Sequence, residues 1–174
     1  QAPRYTSYPT VPYWDNNLNE AKWIQHIKNA FIKYNADGIS LYIHLPYCES
    51  LCTYCACNTR ITVNHKVEGP YIDSLIKEWQ LYLNQFDGKP LIKEIHLGGG
   101  TPTFFSPENL AYLLKTILNS VDVSSDYNFS FEGHPSNTTK EHLQALYNLG
   151  FKRVSFGIQD FDEKVQDTIN RYQT

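Results

Sequence analysis

Apolar residues along this chain alternate between two spacings, and the alternation recurs to the end. Ile39 to Leu45 (ISLYIHL) is a short apolar, β-rich run that stops at Pro46 and reads as a strand. From Pro70 the spacing changes: Tyr71, Ile72, Leu75, Ile76, Trp79 and Leu83 recur at helical intervals, giving an amphipathic helix that ends near Phe86, before Asp87-Gly88. Leu91 to Leu97 (LIKEIHL) is a second strand and runs into Gly98-Gly99-Gly100. Ser106-Pro107 reads as an N-cap with proline at the first helical position, and Leu110, Leu113, Leu114 and Ile117 supply that helix's buried face. Tyr127 to Glu132 is a third strand. The next helix opens at Thr138, with Glu141 three residues on as a capping box, and Gly150 closes it. Arg153 to Gly157 is a fourth strand, followed by a last helix over residues 163–171 that shows no clear cap.

Four β–α units in succession predict an α/β fold with a parallel sheet and helical crossovers. In such sheets the functional loops lie at the carboxyl ends of the strands. The unusual residues of this chain fall there: cysteines after the first strand, glycines after the second, Glu132 ending the third and Gln159 just past the fourth. Residues 1–37 read as an N-terminal arm and first helix, and 38–174 as the body of the fold, with no linker or repeat between them.

The 174 residues are 41% hydrophobic and 19% charged, an ordinary globular balance. A net charge of −3 argues against an electrostatic nucleic-acid footprint. No apolar run spans a bilayer and no charged-then-apolar leader opens the chain, so with clustered thiols the reading is cytoplasmic. Methionine is absent, so Gln1 is not an initiator, and with the uncapped last helix the expectation is a piece of a longer chain.

All four cysteines stand in one run, YCESLCTYCACNT: Cys48, Cys52, Cys55 and Cys57. Structural zinc sites usually draw two Cys/His pairs from separate segments, and no second pair exists here. A disulfide framework belongs to small chains in oxidising compartments. Three thiolates from one loop can cup an iron–sulfur cluster, and since a [4Fe–4S] cluster usually takes four ligands, one iron is left open. Zinc or inert buried thiols remain the competing readings.

The C-x3-C-x2-C spacing resembles that of radical S-adenosylmethionine (SAM) enzymes. Taken together, YIHLPYCESLCTYCACN, HLGGGTPT, SFGIQDFDEKVQDTINRYQ and the opening RYTSYPT resemble the oxygen-independent coproporphyrinogen III oxidases. The resemblance implies the N-terminal part of a partial (β/α)6 radical SAM barrel, with this chain supplying four strands. It implies a [4Fe–4S] cluster on Cys48, Cys52 and Cys55, with Cys57 not a ligand, and two molecules of SAM. The activity implied is oxidative decarboxylation of two propionates of coproporphyrinogen III to vinyl groups, giving protoporphyrinogen IX in haem biosynthesis. A 5′-deoxyadenosyl radical would abstract the hydrogen, an unidentified donor would supply the electron, and the protein would be a monomer. The chain by itself is expected to be inactive in that reaction. The haem-chaperone branch of the superfamily, which would bind haem without decarboxylation, is the alternative. The Cys-x-Cys ending and the RYTSYPT arm favour the oxidases.

The same resemblance carries individual residues. Gly99, Gly100 and Thr101 would hold the methionine moiety of SAM, although a tight turn is the plain reading of the glycines. Glu132 would bind SAM, although a surface ion pair also fits a strand-end carboxylate. Tyr42 and Tyr54 match SAM-contacting positions, Tyr42 reading otherwise as core packing. Gln159 and Arg171 match residues used for a second SAM. Gly133-His134 departs from the usual pattern, which has an acidic residue before the proline. Arg4 and Arg60 are candidate partners for the substrate's carboxylates. His26, His65 and His142 read as ordinary helix or loop residues, and His44 and His96 as hydrogen-bonded core groups.

Overall fold

A computed structural model describes Tyr13 and residues 17–173; the RYTSYPT arm and Arg4 lie outside the described residues. Helix α1 (Glu20–Tyr34) is opened by Asn19, whose side chain accepts from the Lys22 N–H at 3.0 Å. Its one buried residue, Phe31, stacks on Phe86 at 4.3 Å between ring centroids.

Four strands, β1 (Ile39–Leu45), β4 (Leu91–Gly99), β5 (Asp122–Gly133) and β6 (Phe151–Phe156), form one sheet in that spatial order, every pair parallel. They alternate with α2 (Glu68–Leu83), α3 (Pro107–Leu118), α4 (Lys140–Asn148) and α5 (Glu163–Ile169). The α/β reading, four β–α units on a parallel sheet, therefore holds. Because side chains alternate across a strand, one face carries Ile43, Leu45, Ile95, Leu97, Phe129 and Phe131, all buried with Ile72 of α2, Leu110, Leu113 and Leu114 of α3 and Leu146 of α4. Trp79 completes this layer by donating its indole N–H to Ser120 Oγ at 2.8 Å. The other face carries Tyr42, His44, His96, Ser130 and Glu132, none of them buried in the core.

Several boundaries differ from the sequence reading. Strand β5 starts at Asp122 rather than Tyr127. Its polar opening shows no apolar alternation and is held instead by pairing with β4 and by Lys93–Asp126 at 2.9 Å and Lys89–Asp122 at 3.8 Å. Strand β6 starts at Phe151, whose ring packs on Phe129 and Phe131. The capping box of α4 is Thr139 with His142, not Thr138 with Glu141. The Thr138 hydroxyl is occupied by the His134 carbonyl at 2.9 Å and Thr103 at 3.0 Å, so the cap moves one residue on. His142 is thus no ordinary helix residue: it is buried, and its Nε2 meets the Phe105 carbonyl at 2.9 Å. The last helix is also capped at both ends. Asp162 accepts from Lys164 and Val165 N–H, and Asn170 turns left-handed at φ 51°, its N–H reaching the Asp167 and Gln166 carbonyls.

A short parallel pair that the sequence did not announce, β2 (Tyr47–Cys48) with β3 (Arg60–Ile61), closes the base of the cysteine loop. The Arg60 N–H donates to Pro46 O and the Thr62 N–H to Cys48 O, both at 2.9 Å.

Candidate functional site

The β2–β3 pair fixes Cys48 as a strand residue and leaves Cys52 and Cys55 on the excursion between the strands. A turn closed by the Cys55 N–H on Cys52 O at 3.0 Å shapes that excursion. Its outer side is held by the end of α5. The Thr53 N–H donates to Ile169 O at 3.0 Å, the Thr53 hydroxyl to Thr168 O at 3.3 Å, and Asn170 Nδ2 to Leu51 O at 2.8 Å. Arg171 adds Nη1 to Cys52 Sγ at 3.4 Å while its Nε donates to Gly157 O at 2.7 Å.

The inner side rests on the glycines. The Gly100 N–H donates to Leu45 O at 2.9 Å and the Thr101 N–H to Tyr47 O at 3.0 Å, so the segment lies along the start of the cysteine loop. A β-carbon on Gly100 would stand 2.5 Å from Pro46 O and 2.9 Å from Cys48 Sγ. Gly99 adopts φ +119°, where side chains are strained. The glycines are thus required by loop-on-loop packing. Thr101 is buried and its hydroxyl lies 3.3 Å from Cys48 Sγ. Burial raises the Cys48 thiol's pKa, and the Thr101 hydroxyl works the other way. Cys57 is exposed, and partial burial followed by the neighbouring Cys55 raises its pKa too.

On the open sheet face, His44 Nε2 reaches the Asn58 carbonyl at 2.8 Å. A carbonyl only accepts, so this nitrogen carries the proton and Nδ1 accepts from the Tyr42 hydroxyl at 3.0 Å. Strand β1 is thereby tied to the cysteine loop. Tyr42 is 56% exposed rather than core, and its ring stacks on His96 at 6.0 Å. Partial burial, then the charges of Glu132 and Cys57, raise its pKa. His96 meets Ser130 Oγ at 2.8 Å and Glu132 Oε1 at 3.4 Å, so Glu132 has a local polar partner on β4. Both histidines are hydrogen-bonded, as expected, but on the open face and not in the core.

One cavity of about 410 Å3 gathers these parts. Cys48, Cys52, Tyr54, Cys55, Gly99, Gly100, Thr101, Glu132, Gln159 and Arg171 all line it, as does Cys57. Tyr42 stands outside the lining, on the adjoining sheet face, and Arg60 is exposed and also outside it. The Tyr54 phenol is raised chiefly by burial, with Arg171 opposing. Gln159 holds φ +67°, rare without glycine, in a tight turn closed by the Asp160 N–H on Ile158 O at 2.9 Å. Backbone held in so sparse a region commonly marks a functional position. Sequence reasoning missed two further features of this wall: His134 and Ser136 line it, and Asn170 anchors it from behind.

The donor set suits an iron–sulfur cluster: three soft thiols around one cavity, held from several sides. Among the described residues no group of three His, Cys, Asp or Glu side chains converges on a single metal ion. Neither does any described helix have the length and apolarity to cross a membrane.

Comparison with known proteins follows the same lines. The chain is 43% identical over 176 aligned residues to the oxygen-independent coproporphyrinogen III oxidase of Helicobacter pylori strain J99, covering 98% of this chain and 38% of that protein. It is 37% identical to the oxidase of the same name from Pseudomonas aeruginosa, over 99% of this chain and 37% of the relative. A solved structure described as coproporphyrinogen III oxidase from Escherichia coli, a radical SAM enzyme, superposes with a TM-score of 0.88 at 32% identity, over 98% of this chain and 38% of that one. The chain thus spans well under half the length of the relatives it matches, and its four-stranded sheet superposes on the corresponding part of the solved structure. With residues 42–174 matching the model of the radical SAM superfamily, the chain belongs to that superfamily.

Proposed function

We propose that this protein is an oxygen-independent coproporphyrinogen III oxidase, oxidatively decarboxylating two propionate side chains to vinyl groups and yielding protoporphyrinogen IX. The observation that carries the reading is the single cavity lined jointly by Cys48, Cys52 and Cys55, the Gly99–Thr101 segment, Glu132, Gln159 and Arg171. Its similarity along nearly all of its length to proteins of that name supports the same reading.

Cys48, Cys52 and Cys55 would hold a [4Fe–4S] cluster, leaving one iron for the amino and carboxylate groups of SAM. When bound, cluster and SAM supply the one-electron chemistry by which a propionate loses a hydrogen atom, CO2 and an electron to become a vinyl group. Residues of the chain do the holding. Thr101 sets its hydroxyl against Cys48 Sγ, and Arg171 sets a fixed positive charge against Cys52 Sγ. Gly99 and Gly100, lacking β-carbons, would let a methionine moiety lie close against the backbone. Glu132 would accept from an ammonium or from ribose hydroxyls. Tyr42 and Tyr54 offer ring faces to the adenosine, and Gln159 and Arg171 would serve a second SAM. The protein acts as a monomer in the cytoplasm and takes its electron from a separate reductant.

The test is an anaerobic assay of the protein at the full length of its relatives, since these 174 residues by themselves are expected to be inactive. It supplies coproporphyrinogen III, SAM and a reductant and is followed by chromatography of the tetrapyrroles. The expected product carries two new vinyl groups, with two SAM consumed per substrate. Stable haem binding with no vinyl product would overturn the reading in favour of a haem chaperone.

A further inference from the structure

The cavity lining carries an imidazole that none of the roles above uses. His134 follows β5, is half-buried and lines the cavity together with Ser136 and Arg171. The backbone N–H of Ser136 donates to His134 Nδ1 at 3.1 Å, so Nδ1 is an acceptor and the neutral ring carries its proton on Nε2. The turn that carries the ring is braced on several sides. The His134 carbonyl takes the Asn137 N–H at 3.1 Å, the Thr138 N–H at 3.0 Å and the Thr138 hydroxyl at 2.9 Å, and the Ser136 hydroxyl ties the turn to Tyr172 O at 2.8 Å. Among the described residues Nε2–H has no protein partner.

Arg171 is in a similar position. Its Nε and Nη1 are spent on Gly157 O and Cys52 Sγ, and its Nη2 has no hydrogen-bond partner among the described residues. The two side chains sense each other. Burial first, and the Arg171 charge second, push the His134 pKa down to about 4, so the ring is neutral at physiological pH. A neutral, oriented N–H and a guanidinium N–H lining one cavity are two donors that lack an acceptor among the described residues. A carboxylate fits both, because its two oxygens can take one donor each.

We propose that His134 is a ligand-binding residue of this cavity, its Nε2–H and Arg171 Nη2 together receiving a carboxylate of the bound small molecule. The inference rests on the function proposed above, which places two carboxylate-bearing molecules in reach: SAM, through its amino-acid end, and the tetrapyrrole, through its propionates. It assigns to His134 a contact that an acidic residue at this position could not make, since an ionised carboxylate would repel the ligand's own.

Binding isotherms on the cluster-loaded protein decide it, with three probes: SAM, decarboxylated SAM and coproporphyrin III. His134→Ala is compared with His134→Gln, which keeps an N–H donor, and urea unfolding confirms that both variants fold. If SAM supplies the carboxylate, His134→Ala weakens SAM roughly tenfold, as for loss of one hydrogen bond to a charged group. Decarboxylated SAM is then unaffected, and His134→Gln recovers part of the loss. If the propionate supplies it, coproporphyrin III shows the loss and SAM does not. Unchanged affinity for all three probes in His134→Ala overturns the inference while leaving the proposed function standing. A wild-type protein that binds none of them contradicts both.

Discussion

Arg171 Nη1 donates to Cys52 Sγ at 3.4 Å across 119 residues of sequence, so the last described helix and the cysteine loop are one structural unit. Asn170, its neighbour, reaches Leu51 O at 2.8 Å from the same turn. The turn exists because Asn170 accepts a left-handed backbone, which asparagine does more readily than most residues.

Two substitutions separate the parts of this clasp. Asn170→Gly keeps the backbone and loses only the bond to Leu51 O, costing about 1 kcal/mol. Asn170→Ala loses the bond and strains the turn as well, for about 2 kcal/mol in all. Urea unfolding gives the ranking, and iron retained after gel filtration of the reconstituted variants should fall in the same order.

The glycines offer a sharper contrast. At Gly100 an added methyl meets backbone at 2.5 Å and cannot be accommodated by a side-chain rotation. Gly100→Ala should destabilise by roughly 1–3 kcal/mol, as overpacking does, and should displace Cys48. Gly69, inside α2, has nothing within 4 Å of its would-be β-carbon, so Gly69→Ala should stabilise by about 0.5 kcal/mol. Paired thermal melts read both signs.

Glu68 is 2% exposed yet fully employed. Its Oε2 accepts from the Ser106 N–H at 2.8 Å and Asn109 Nδ2 at 2.7 Å, and Oε1 meets His65 Nδ1 at 2.7 Å. His65 in turn stacks on Phe104 and stands 3.6 Å from Glu49, beside Cys48. Glu68→Ala orphans these donors and should cost roughly 3 kcal/mol, whereas Glu68→Gln retains an acceptor and should cost about half as much. Chemical denaturation of the two variants measures the difference.

His134 gives stability a pH dependence with a definite sign. An unfolded imidazole titrates near 6.5, and the folded one is pushed down to about 4 by burial and then by Arg171. Between those values the unfolded chain binds a proton that the folded chain refuses, so stability rises with pH. The contribution is complete above pH 6.5 and is lost as pH falls toward 4. Solvent screening of a half-exposed ring leaves roughly 1–2 kcal/mol. The urea midpoint should therefore drop less between neutral pH and about pH 5 in His134→Gln than in wild type.

Much of the architecture was legible because periodicity and capping are local. Ile39–Leu45 and the Ser106-Pro107 helix start lie where apolar spacing and turn chemistry put them. The polar start of β5 was not legible, since strand pairing and ion pairs with Lys89 and Lys93 replace an apolar signal there. Thr138 lost its capping role to tertiary partners, which no local pattern reveals. The cysteine and glycine segments stood out by composition. The left-handed Gln159, the Asn170 anchor and the orientation of His134 depend on contacts between distant segments and emerged only from the fold.

The central claim is that Cys48, Cys52 and Cys55 hold a cluster with one iron open to SAM. Its most direct test is the EPR spectrum of the anaerobically reconstituted, reduced protein, recorded before and after SAM is added. The account requires a [4Fe–4S] signal that changes on addition of SAM, is lost in Cys52→Ser and survives in Cys57→Ser. A cluster signal indifferent to SAM, or tight zinc binding with no cluster formed, would contradict it.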